Sequence, residues 1–232
     1  MSVPSDGILR KAPAHLPSGA EAASSRSAAL ASTLTALAGF TDAIGYSELG
    51  ELYLSFMSGN STHFGMALAS AGWPHAALAG AIIATFVTGS LLGTLIADRA
   101  RSLKPAVLGA ELLILLAAIS LTLLGAGSLG LIPISAAMGM QNTLHQVVAG
   151  ADVGKGFLTG NLFALGQSLA RAGHDKAERR RAAHHGLSWI AFAGGVVIGA
   201  LVHARFGTTI ALAVVSVVIA TLLVASLSQR SR

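Results

Sequence analysis

The chain has 232 residues, 53% of them hydrophobic and 11% charged, and its mean hydropathy is +0.68, which excludes a soluble domain with a polar shell and reads as a polytopic membrane protein. The net charge of +5 does not signal nucleic acid, because the fifteen Lys and Arg fall in tails and connectors without interleaved aromatics. The absence of cysteine excludes disulfides, thiolate metal sites and cysteine nucleophiles.

Residues 1–27 mix Pro, Ser, Gly and Ala with Arg10, Lys11 and Arg26 and lack the apolar run of a signal peptide, which predicts a disordered cytoplasmic tail. Apolar stretches of membrane length follow at about 28–47, 76–98, 106–126, 129–149, 187–204 and 208–227. Two further segments, about 56–71 and 157–170, are shorter and open on Phe56-Met57-Ser58-Gly59-Asn60 and Phe157-Leu158-Thr159-Gly160-Asn161. The expected fold is all-α: one transmembrane domain over 28–228, a bundle of about six transmembrane helices, with two shorter polar-started helices.

Basic residues in short loops stay on the cytoplasmic side. If neither short segment crosses, fourteen of the fifteen lie inside and only Arg205 outside. If both cross, Arg99, Arg101, Lys104 and Lys155 join Arg205 outside and the asymmetry falls to ten against five. Charge therefore favours six crossings with both termini cytoplasmic, and Tyr46, Tyr53 and Trp73 then gather at the outer interface.

The chain also repeats itself. Gly39-Phe40-Thr41-Asp42 answers to Gly139-Met140-Gln141-Asn142 at an offset of 100, and Met57-Ser58-Gly59-Asn60 to Leu158-Thr159-Gly160-Asn161 at 101. Phe86, Gly89, Gly93, Leu95 and Arg99 match Phe192, Gly195, Gly199, Leu201 and Arg205 at 106. The halves, about 28–126 and 129–228, each hold three spans, so the second is inserted upside down. Inverted repeats place equivalent elements around a shared site near the midplane.

These motifs, Gly39-x-x-Asp42 with Met57-Ser58-Gly59-Asn60 and Gly139-x-Gln141-Asn142 with Thr159-Gly160-Asn161, resemble the YoaK family of bacterial integral membrane proteins (domain of unknown function 1275) over about residues 30–227. Ser58 stands where that family usually has threonine, which keeps the hydroxyl. The resemblance implies a multi-span protein of the bacterial inner membrane and no particular biochemical activity.

Several residues could carry a site. Ser58, Gly59 and Asn60, with Thr159, Gly160 and Asn161, have the composition of helix starts; in re-entrant turns they would present positive helix ends to a cavity, and otherwise they are packing caps. Asp42 is a carboxylate within a span, with Asn142 as its repeat mate and Gln141 and His145 close by. Glu111, six residues into the third span, serves either a proton or cation path or an inter-helix hydrogen bond. Gly89-x-x-x-Gly93 and Gly195-x-x-x-Gly199 fit close helix crossings. His184-His185 lacks the partners of a metal set, and neither a nucleophile with a matched base nor a phosphate loop is present, so the chain is read as non-enzymatic, without metal or cofactor.

The leading expectation is a small-solute or ion transporter or channel with a midplane site at Asp42, Asn60, Asn142 and Asn161, joined by Glu111. The alternatives are an intramembrane enzyme acting on lipid through Asp42 with His63 or His145, and a non-transporting scaffold. Expected partners are the lipid bilayer and a small solute or ion, with homo-oligomerisation left open and nucleic acid excluded.

Overall fold

A computed structural model describes residues 18–100, 102–144, 147–148, 151–152, 158–173 and 175–228, with side chains from residue 27 onward outside the short 147–152 pair. Residues 1–17 of the tail expected over 1–27, the candidate His145, and Lys155 of the charge count lie outside the described residues.

The order is α1 (Ser18–Glu48), α2 (Met57–Ala69), α3 (Trp73–Arg99), α4 (Leu103–Leu123), a 3-10 turn (Gly127–Leu131), α5 (Ile132–Gln141), a second 3-10 turn (Asn142–Leu144), β1 (Val147–Val148), β2 (Ala151–Asp152), α6 (Leu158–Arg171) and α7 (Lys176–Ser228). Among the described residues the fold is helical, apart from the two-residue antiparallel pair β1–β2. Among the described residues, four helices are long and apolar enough to cross a membrane: α1 from Ser27, α3, α4 and α7. Their outward faces carry exposed Val87 and Leu91 on α3, Leu113 and Leu116 on α4, and Val197 and Leu201 on α7. Such faces suit lipid rather than water.

Three boundaries differ from the sequence expectation. The stretch at 129–149 is not one long helix: its α-helical part is Ile132–Gln141. Pro133 lies in its first turn, and at the far end Asn142 Nδ2 donates to Met138 O at 3.3 Å and Thr143 Oγ1 to Met140 O at 2.8 Å, so side chains compete there with the backbone ladder. The stretches at 187–204 and 208–227 belong to one element, α7, which also begins earlier, at Lys176. Asp175 Oδ1 accepts the Ala177 N–H at 2.7 Å, capping a basic first turn that hydropathy does not mark. Gly207, with φ 79° and ψ 173°, breaks α7 into arms 176–206 and 208–228, in a backbone region essentially reserved for glycine. α1 likewise starts at Ser18 rather than near 28.

The repeat is visible in how helices cross. A Cβ on Gly39 would run into the Phe192 carbonyl, and one on Gly195 into that of Ala36; at the equivalent places, Gly139 meets the Phe86 carbonyl and Gly89 that of Ala136. Gly199 against Phe40 and Gly93 against Met140 extend both crossings by a turn. Thus α1 packs on the first arm of α7 as α5 packs on α3, each first helix of one half clasping the second long helix of the other. Glycine permits this because no side chain separates the backbones. Positions rise together along each pair, so both pairs run parallel.

The helix ends fix the directions. Glu48 Oε1 accepts from His203 Nε2 at 2.8 Å and from Thr208 Oγ1 at 2.7 Å, and Gly50 lies against His75, so the end of α1, the start of α3 and the α7 break share one end of the bundle. Leu30, Thr33, Lys104, Leu108, Leu222 and Ser226 border a cleft at the opposite end. Helix α1 therefore runs towards the first end, whereas α3, and α5 parallel to it, run away from it. The two halves are inverted in space.

Candidate functional site

Beyond α1 the chain turns back on itself. Leu52 and Leu54 fold against Gly45, and Ser55 reaches Asp42, more than a turn below the end of α1, donating its N–H to Oδ1 at 2.5 Å and its hydroxyl to Oδ2 at 2.7 Å. Helix α2 then leads outward again, and His75 in the first turn of α3 is back beside Gly50. With 13 residues, α2 is about 20 Å long, short of the about 30 Å of a bilayer core.

Asn60 holds this turn together. Fully buried, it accepts the Tyr53 N–H at 2.8 Å and donates to the Tyr53 carbonyl at 2.7 Å, pairing with both backbone groups as a neighbouring strand would. The Ser58-Gly59-Asn60 motif is therefore not a cap: Phe56 occupies the cap position without a side-chain bond, and the motif forms the first turn. Gly59 is needed because Phe56 and Tyr53 crowd its Cα, and Ser58 is exposed.

Asn161 has a different task. Buried on α6, its Nδ2 donates to Ser188 Oγ at 3.2 Å and its Oδ1 faces His185 Nδ1 at 3.1 Å, tying α6 to α7. Thr159 and Gly160 beside it are exposed.

Asp42 lies in the wall of a cavity of about 480 Å³, within the range of small-molecule sites. The first half contributes Ala43, Tyr46, Ser47, Tyr53 and Phe56; the second contributes Leu158, Thr159 and Leu162 from α6, with Phe192, Val196 and Ala200 from α7. Of the ten candidates, only Asp42 and Thr159 share this cavity. Asn60 and Asn161 are spent on the bonds above. Asn142, half-buried, bonds back to its own helix.

Glu111 and Gln141 form a separate contact in the core, where Gln141 Nε2 donates to Glu111 Oε2 at 3.2 Å and both side chains are buried. They link α4 to α5. Thr41, beside Asp42, lies 3.4 Å from Met138 Sδ on α5. His63 stands with its ring 5.9 Å from that of His75 and 6.4 Å from Tyr53. Among the described residues no three His, Asp or Glu side chains are grouped as a metal set.

Sequence reasoning did not pick out Phe56 and Phe192 as cavity walls and placed Tyr46 and Tyr53 only at an interface. The available signal was clustering: Tyr46, Tyr53 and Phe56 lie within eleven residues of a chain whose composition is only 5% aromatic.

No curated protein and no solved structure matches the chain. The family described as "Protein of unknown function (DUF1275)" matches residues 30–225, the stretch that holds both halves of the repeat, their glycine crossings and the Asp42 cavity, and the chain belongs to that family.

Proposed function

We propose that this is a small-solute transporter of the bacterial cytoplasmic membrane, with six crossings, two inverted halves, both termini in the cytoplasm and its site in the Asp42 cavity. The observation that carries this reading is the cavity itself, bounded by α1 and the turn at 49–56 from one half and by α6 and α7 from the other. In inverted-repeat transporters the substrate sits where repeats meet beside interrupted helices. Five of the crossings are α1, α3, α4 and the two arms of α7. The sixth is the run 127–144, in which α5 is extended at each end by a 3-10 turn.

The crossings also suggest how the site opens. The α1–α7 crossing is locked backbone against backbone, so access to the cavity is set by the elements that complete its wall over that pair, the turn at 49–56 and α6. Asp42 gives the apolar walls a single anionic group with which to orient a solute, and Ser55 holds its carboxylate in place.

The test is transport in proteoliposomes, screening small solutes by electrogenic or tracer flux. Asp42→Asn should lower flux at least tenfold at unchanged protein level in the membrane. Flux equal to wild type overturns the site assignment. Asn60→Ala is expected to act instead through stability.

A further inference from the structure

The walls of the cavity define what it accepts. Its lining holds one carboxylate, Asp42, and no Lys, Arg or His. Four aromatic residues line it, Tyr46, Tyr53, Phe56 and Phe192, a third of the chain's twelve aromatics (eight Phe, two Trp, two Tyr) and both of its tyrosines. The rings of Tyr46 and Tyr53 are 5.5 Å apart, and Phe56 meets Tyr53 edge to face at 5.4 Å, so three rings form one continuous wall.

The Asp42 oxygens accept from the Ser55 N–H and hydroxyl, and the backbone N–H groups of Leu54 and Phe56 are also directed at this buried carboxylate, so a bound solute meets it as a held negative charge at the cavity wall rather than as a free acceptor. An anion would meet Asp42 without a cation to offset it. A hard inorganic ion such as Ca²⁺ would need about six to eight oxygen ligands, whereas this lining is mostly hydrocarbon and aromatic. What remains is a charge that is positive, diffuse and carried on an apolar body, which aromatic faces attract through their quadrupoles.

We infer that the cavity binds a lipophilic organic monocation, a quaternary or protonated amine or an equivalent onium, with its charge at Asp42 and its body against Tyr46, Tyr53, Phe56 and Phe192. This rests on the cavity being the solute site proposed above and adds the class of solute. Thr159 closes the site from α6 with a hydroxyl that can bond a substituent of the cation.

The test uses two probes of nearly equal shape and opposite charge, tetraphenylphosphonium and tetraphenylborate, on the purified full-length chain. Saturable binding of the phosphonium and not the borate is expected, with Asp42→Asn weakening it at least tenfold. Because Asp42→Asn could disturb the Ser55 turn, Tyr46→Leu provides a second reading at an exposed side chain. Its expected loss is about fivefold, the worth of one cation–π contact, and Tyr46→Phe, which keeps the ring, should lose less. Equal binding of both probes, no saturable phosphonium binding, or binding indifferent to both Asp42→Asn and Tyr46→Leu overturns the inference. Flux of neutral or anionic solutes that depends on Asp42, without cation binding, would leave the transport reading standing and remove this one. Asp42-dependent phosphonium binding with no flux of any solute would do the reverse.

Discussion

α1 and α5 occupy equivalent places in the two halves, yet α1 is a continuous helix of 31 residues whereas α5 has ten, with 3-10 turns at both ends. Both nevertheless make the same crossing, Gly39 on Phe192 and Gly139 on Phe86. Close backbone approach is thus the conserved element of the repeat, and helix length is free to vary around it. Three residues beyond each glycine the halves part chemically: Asp42 faces a cavity and braces Ser55, whereas Asn142 turns back to the Met138 carbonyl. On a scaffold whose crossings are equivalent, the cavity is lined by both halves, but its one charged group comes from the first alone.

The largest effects should come from filling the crossings. Gly39→Val and Gly139→Val each force a side chain into a backbone carbonyl that cannot step aside, and overpacking of this kind costs about 3 kcal/mol or more. Both variants should lose the folded, monodisperse protein in detergent, followed by size exclusion and thermal unfolding. A variant at one glycine that is tolerated while the other collapses would break the equivalence of the two crossings.

The two asparagines sharpen the comparison. Asn60→Ala leaves the Tyr53 N–H and carbonyl without their partner and should cost about 2–4 kcal/mol, whereas Asn161→Ala removes side-chain contacts to Ser188 and His185 and should cost about 1–2 kcal/mol. Thermal unfolding of the two variants side by side checks the order. Equal losses would mean that the second Gly-Asn motif also anchors a turn.

In the same range as the asparagine changes, Gly207→Ala should cost about 1–3 kcal/mol through its backbone conformation alone, with no clash, since nothing lies near a Cβ placed there. Its effect should be on stability and on the Glu48–His203–Thr208 contact rather than on the Asp42 cavity. A change in probe binding larger than the change in unfolding temperature would contradict that separation.

Much of the fold was legible from residues in order. The spans at 76–98 and 106–126 appear as α3 and α4 because an apolar run of bilayer length has few other solutions, and the two polar-started segments appear as the short helices α2 and α6. The repeat was legible because glycine at a helix crossing has no substitute, which keeps Gly39, Gly89, Gly139 and Gly195 in register. The start of α7 was not legible, since Arg179, Arg180 and Arg181 dilute hydropathy without opposing helix formation. Nor was the role of Asn60, whose partner is the backbone of Tyr53: only the fold brings that backbone into reach, and no side-chain pattern records it. Asp42 lies within a candidate span and in the wall of a cavity, but its cavity-mates include aromatic residues from both halves, where polar repeat mates were expected.

The inverted arrangement underlies the cavity, the crossings and the transport reading, and topology tests it most directly. The chain contains no cysteine, so Ser70→Cys, Ser102→Cys and Gly127→Cys can be introduced singly and treated in intact cells with a membrane-impermeant thiol reagent. The account predicts labelling at positions 70 and 127 and none at 102. Labelling at 102 without labelling at 127 would mean that α2 crosses the membrane and that the halves are parallel, which would contradict it.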